Sequence, residues 1–227
     1  MYPSLNVHGG RASGHRALFQ GSSHIVIPLT TGPLDILPNK RALILLDVAN
    51  LHCGAKTAGY ELSFGTLASL LKAKLGSADL HAFFARKPND SGRGDELEGH
   101  GYHTHAREVE YVKTVRGMER KSNCDNDLLF VAGVLLATMS YDLVVAGTGD
   151  GDLALDLARG VRAFRDNIEI VSLGFAHNSA WRLHTGANRV IDGNILIGAD
   201  CLQLARIVQS DAQSISQCPL LPGALPW

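Results

Sequence analysis

Asp142-Leu143-Val144-Val145-Ala146-Gly147-Thr148-Gly149-Asp150-Gly151-Asp152-Leu153 is the stretch on which the fold turns. An apolar run, 143–146, ends in glycine and so reads as a buried strand of a parallel sheet. Glycines at 147, 149 and 151 then let the backbone turn sharply and approach a ligand. Asp150 and Asp152 sit in that turn, and residues 153–164 have helical spacing. Strand, acidic glycine turn and helix place two carboxylates at the carboxyl end of a strand, where open α/β sheets build their sites.

A second stretch has the same grammar. Arg41-Ala42-Leu43-Ile44-Leu45-Leu46-Asp47-Val48-Ala49-Asn50 runs through five apolar residues into Asp47, with Asn50 three residues on. A wholly apolar strand is buried on both faces, so it is expected to be central and to lie beside the 143–146 strand, parallel to it. A carboxylate at its end is costly unless paired or metal-bound. The alternative is a helix cap, since Asp and Asn both cap well. Both readings stay open from the residues alone.

Around these two stretches the chain reads as α/β. Helical spacing covers 64–75 and 128–139. Strands are expected at 79–85, 102–112, 168–174 and 189–192, a short helix at 181–183, and an amphipathic segment at 199–208. Residues 1–38, rich in Gly, Ser, His and Pro, read as an N-terminal extension with one strand-like run at 24–29. The domain proper is placed at 39–210 and a proline-rich tail at 211–227.

The 227 residues suffice for one such domain. With 45% hydrophobic and 19% charged residues the chain has an ordinary globular composition. A net charge of −1 supplies no general field toward polyanions, so any nucleic-acid binding has to come from a local patch. The chain holds no run of about 18 apolar residues and no signal-peptide pattern, so a cytoplasmic protein without a membrane partner is expected. Cys53, Cys124, Cys201 and Cys218 are widely spaced and read as reduced thiols. His103-Thr104-His105 is either a surface strand or a metal pair lacking further ligands.

The acidic places converge if the fold is right. Asp47 ends one strand, Asp150 and Asp152 follow another, and Asp125 opens the helix leading into the second. Carboxylates brought together raise one another's pKa, and a divalent cation removes the conflict. All-oxygen donors suit Mg²⁺ or Mn²⁺, and such an ion suits phosphodiester hydrolysis. For Asp125 and Asp127 the helix dipole is a sufficient alternative reason.

Three motifs carry a family resemblance: Leu46-Asp47-Val48-Ala49-Asn50, Lys121-Ser122-Asn123-Cys124-Asp125, and Gly147-Thr148-Gly149-Asp150-Gly151-Asp152-Leu153. Over about residues 40–197 the sequence resembles an NYN domain, of the PIN-like nuclease group that includes LabA-like proteins. The resemblance implies a three-layer α/β/α sandwich with a mostly parallel central sheet, and a Mg²⁺- or Mn²⁺-dependent endoribonuclease. By the same match Asp47, Asp125, Asp150 and Asp152 form the acidic metal site and Asn50 orients it. Val131 and Leu153 depart from the pattern, standing where members often carry Asp and Phe.

RNA contacts are expected from Arg86, Lys87, Arg93, Lys113, Arg116, Arg120 and Lys121, the cations of two polar stretches. Two other readings accompany the nuclease. One is a catalytically weak PIN-like domain that binds RNA or serves as a structural subunit, as a homo-oligomer or in a larger assembly. The other is a different Mg²⁺ phosphoryl-transfer enzyme, against which stands the lack of a second Asp two residues after Asp47. A phosphate-binding loop is disfavoured because no Lys-Ser/Thr pair follows Gly149.

Overall fold

A computed structural model of the chain describes residues 25–29, 40–114, 117–121, 124–180, 183 and 190–204. In chain order its elements are β1 (Ile25–Leu29), β2 (Arg41–Asp47), α1 (Val48–Thr57), β3 (Tyr60–Leu62), α2 (Phe64–Leu75), β4 (Ser77–Arg86), α3 (Gly92–Gly99) and β5 (His103–Glu108). There follow β6 (Glu110–Thr114), β7 (Gly117–Lys121), α4 (Asp125–Thr138), β8 (Leu143–Gly147), α5 (Gly151–Phe164), β9 (Glu169–Gly174), β10 (Gly193–Ile197), a 3-10 turn (Ala199–Cys201) and β11 (Leu202–Leu204).

The two apolar runs are the middle of the sheet. Seven strands lie in the order β1-β10-β9-β8-β2-β4-β5, and every neighbouring pair is parallel. Successive side chains of β2 alternate between two cores. Ala42, Ile44 and Leu46 pack with α1, α2 and Leu97 of α3 on one face. Leu43 and Leu45 pack with α4 and α5 on the other. The result is a three-layer α/β/α sandwich. Ala42 to Leu46 have no exposed surface at all, and each Leu or Ile so buried contributes roughly 1.5–3 kcal/mol.

Several elements differ from the sequence reading. The sheet begins inside the segment read as an extension, because β1 pairs with β10 and forms an edge. Pro28 is tolerated there, an edge being where a missing N–H does least harm. The strand expected at 189–192 is β10, four residues later, with 189 outside the described residues. Asp192 instead clamps the sheet, accepting from the Ile170 N–H at 2.8 Å and pairing with Arg162. The amphipathic 199–208 segment starts as a 3-10 turn and a short strand that pairs with β3, not as a helix. Of the short helix at 181–183 only Leu183 is described, in the core. The described parts of the basic stretch, 113–114 and 117–121, belong to a two-stranded antiparallel ribbon, β6–β7. Cys124 and Cys201 carry free thiols as expected, whereas Cys53 is disulfide-bonded and departs from that reading. Among the described residues no helix is long and apolar enough to cross a membrane.

Candidate functional site

The strand order reverses beside β2. From β2 the chain moves one way to β4 and β5, then returns on the other side of β2 to β8, β9 and β10. The β2–β8 gap is therefore the switch point, and a crevice opens outside the carboxyl ends of these two strands. Asp47 ends β2 there, and the turn 148–150 leaves β8 there.

Two hydrogen bonds tie the two turns together, and local caps hold each turn. Asp47 caps α1, its Oδ1 accepting the Asn50 N–H at 3.0 Å. The Asn50 side chain reaches across to the second turn, its Oδ1 accepting the Gly149 N–H at 2.7 Å. The Thr148 hydroxyl donates to Asp47 Oδ2 at 3.5 Å and accepts the Asp150 N–H at 3.1 Å. Asp150 caps α5, its Oδ1 accepting the N–H groups of Asp152 at 2.8 Å and Leu153 at 3.4 Å. The capping alternative is thus realised at Asp47 and Asp150, and both capped carboxylates still meet at the crevice. Thr148 is almost wholly buried. It lies within the motif but had no role from sequence, because its value depends on Asp47 being across the sheet.

Burial raises the Asp47 carboxyl from 3.8 to about 6, and the nearby charges of Asp125 and Asp150 add to the rise against the hydrogen bonds from Asn50 and Thr148. Asp125 opens α4 and is half-buried, so carboxylates from two other elements act on Asp47. A carboxyl with a raised folded pKa stabilises the fold fully below its unfolded pKa, and that contribution is lost as pH rises through the folded value. In metal-free buffer Asp47→Asn should therefore raise stability by on the order of 2 kcal/mol at about pH 7–8, and change it little near pH 4. The Asn oxygen still caps α1. Denaturant melts at the two pH values check this, and equal stability of both proteins at the higher pH would contradict it.

The remaining acids divide. Asp152 is exposed two residues after Asp150, in the first turn of α5, and the carboxylates acting on Asp47 are Asp125 and Asp150. Asp127 is ion-paired with Arg107 of β5 at 3.2 Å. Val131 packs against the α4–α5 core. Cys124 sits at the start of α4, and burial pushes its thiol up to about 11, with Asp47, Asp127 and Asp125 adding to the rise. It is a neutral thiol near neutral pH and no nucleophile.

Among the described residues no three His, Cys, Asp or Glu side chains are drawn together tightly enough to enclose a metal ion as they stand. The donors at the crevice are nonetheless all hard oxygens, and a divalent cation would offset the burial, and the nearby negative charges, that keep Asp47 protonated to about pH 6. In charge and donor type the group fits Mg²⁺ or Mn²⁺.

The cations expected to touch RNA also divide. Arg86 pairs with Glu108 at 3.6 Å and Arg93, in α3, with Glu96 at 3.2 Å. A small hollow beside Arg86 is lined in addition by Asp90, Asp95 and Glu98, which makes that surface acidic rather than basic. Lys87 and Lys113 are exposed, and Arg120 and Lys121 lie on β7. Arg116 lies outside the described residues. His103 and His105 acquire a third imidazole, because parallel pairing sets His81 of β4 beside them. His81 Nδ1 lies 3.0 Å from His105 Nε2, and the rings stack. Burial, then the two neighbouring rings, pull the His81 imidazole down to about 4, so it is a neutral packing group near neutral pH.

No family model matches the chain, and no curated protein matches it. Among solved structures it is similar to the crystal structure of a protein of unknown function from Vibrio parahaemolyticus RIMD 2210633. The TM-score is 0.54 at 19% identity, covering 72% of this chain and 96% of that one. The likeness concerns the fold alone.

Proposed function

We propose that the chain is a Mg²⁺- or Mn²⁺-dependent endoribonuclease of the NYN, PIN-like type. The observation that carries this reading is that Asp47 ends β2 at the switch point of a parallel sheet, with Asp125 and Asp150, from two other elements, near enough for their charges to act on it. Asp47, Asp125 and Asp150 would hold the cation, with Asp152 supplying a further carboxylate at the exposed rim. When bound, the ion lowers the pKa of a coordinated water and offsets charge developing on the phosphodiester. Asn50 and Thr148 keep the two turns in register, so that Asp47 and Asp150 are positioned before substrate arrives. Lys87, Lys113, Arg120 and Lys121 are the cations that suit the RNA backbone, whereas Arg86 and Arg93 are engaged by acids.

The test is incubation of the full chain with end-labelled RNA in Mn²⁺, in Mg²⁺ and in EDTA. Internal cleavage with either cation and none in EDTA is the expected result. Cleavage that persists in EDTA excludes the metal. RNA retained on the protein but never cut favours a binding or structural subunit.

A further inference from the structure

Helices α4 and α5 pack on the same face of the sheet, yet their outer surfaces differ in kind. The exposed positions of α5 include Asp152, Asp156 and Arg159, as befits a helix facing water. Those of α4 past its first turn are Phe130, Gly133, Val134, Ala137 and Thr138. From Leu128 to Tyr141 the chain carries no charged residue. Phe130 is 73% exposed and Val134 46%. A helix apolar on every side is one that is covered on every side. The inner side of α4, with Leu128, Ala132 and Leu136, is buried in the core. Among the described residues its outer side is left open.

The open face has a pattern of size. Residues 130, 133, 134 and 137 fall at the three-and-four spacing of one helix face. Phe130 and Val134 are large, whereas Gly133 and Ala137 are small. Laid antiparallel on its own copy, about a two-fold axis between 133 and 134, the stripe sets Phe130 opposite Ala137 and Val134 opposite Gly133. Each large residue then meets a small one, which is what a two-fold interface demands of a single patch. The space over Gly133 is open, since a Cβ there meets nothing within 4 Å. Parallel pairing offers no such match, because it sets Phe130 against Phe130. Charge agrees with the antiparallel choice. The stripe has no charge to bury, and the two helix dipoles oppose each other. The acidic start of each α4, with Asp125 and Asp127, approaches the end of the other, where Arg41 reaches Met139 Sδ at 3.8 Å.

We propose that α4 is the interface of a homodimer, in which two copies of this chain pack their 130–137 faces antiparallel about a two-fold axis. The occupant is a second copy because the face is complementary to itself in size and in charge, a property that an unrelated partner does not require. One helix pair is a small interface, so the dimer is reversible rather than permanent. Asp125 stands at the start of α4, so the crevice of each subunit lies near the end of the other's α4. The inference is independent of whether the chain cuts RNA.

The experiment is sedimentation velocity of the full chain from about 1 to 100 µM, the range in which a small interface associates. A reversible dimer is expected. Phe130→Gln should weaken it at least about tenfold, because a large central aromatic carries much of such an interface. Phe164→Gln, which alters an exposed aromatic on α5, should leave it unchanged. Thermal melts confirm that the variants are folded. Val134→Cys then tests the geometry, since the two-fold axis brings residue 134 close to its own copy. Mild oxidation should link this variant into a covalent dimer, and should link neither the original protein nor Arg159→Cys. The proposal needs both results. A protein that stays monomeric to about 100 µM overturns it. So does a dimer that Phe130→Gln leaves intact, or one that Val134→Cys fails to link.

Discussion

Replacing Asp150 by Asn is expected to remove most RNA cleavage and most of the stabilisation by Mn²⁺ while leaving the metal-free fold intact. The reason lies in the division of labour at this side chain. Its Oδ1 accepts from two backbone N–H groups at the start of α5. Asn presents an equivalent oxygen and caps a helix about as well, so the cap survives. What Asn lacks is the charge that raises the Asp47 pKa and that a cation would use. Metal-free stability should hold or rise slightly, since one member of a repelling group is gone. A ligand that binds only the folded state stabilises it by mass action, so Mn²⁺ should raise the Tm of the original protein and scarcely that of the variant. Asp150→Ala provides the contrast. It loses the cap as well as the charge, and should cost about 1 kcal/mol with or without metal. Melts of the three proteins in Mn²⁺ and in EDTA settle the matter. If Mn²⁺ moves none of them, Asp150 is a helix cap and the metal reading fails.

The second large effect is expected at Gly149. A Cβ there would stand 2.5 Å from the Asn178 carbonyl oxygen and 2.9 Å from Asn50 Oδ1. Neither neighbour can step aside cheaply. Asn178 approaches with its backbone, and the Gly149 carbonyl accepts the Ala180 N–H at 3.0 Å, which pins that segment. Asn50 already accepts the Gly149 N–H. Gly149→Ala should therefore cost about 1–3 kcal/mol, roughly 2–10 °C in Tm for a chain of this size. Cleavage should fall further than the lost stability explains, because moving Asn50 also moves the turn that presents Asp150. Gly133→Ala on α4 is the control. A Cβ there meets nothing within 4 Å, and replacing a mid-helix glycine should raise stability by about 0.5–1 kcal/mol. A Gly149→Ala protein that melts with the original would show that the turn is not held by these contacts.

Much of this was legible in the residues. The runs 42–46 and 143–146 are apolar at every position, which only a strand covered on both faces tolerates, so their central place and parallel pairing followed from composition. Helices α2, α4 and α5 announced themselves by spacing, and the acidic turns by the glycines around them. Elements whose existence depends on a distant partner were not legible. The run at 24–29 reads as a strand, but its place at the edge of the sheet is decided by β10, and β3 and β11 pair with each other across most of the chain. Each is short, and without its partner neither has a pattern to recognise.

The same line runs through the site. Local sequence determined that Asp47 and Asp150 would stand at the starts of helices, because a cap and its N–H donors lie within three residues of each other. It did not separate Asp150, whose oxygen turns back onto the helix start, from Asp152, which is exposed two residues later. Nor did it show that Arg86 meets Glu108, that Val131 packs against the core, or that His81 lies against His105. Those contacts are set by strand register. Register is decided by the summed burial of whole faces, in which no single residue carries enough free energy to reveal its partner in advance.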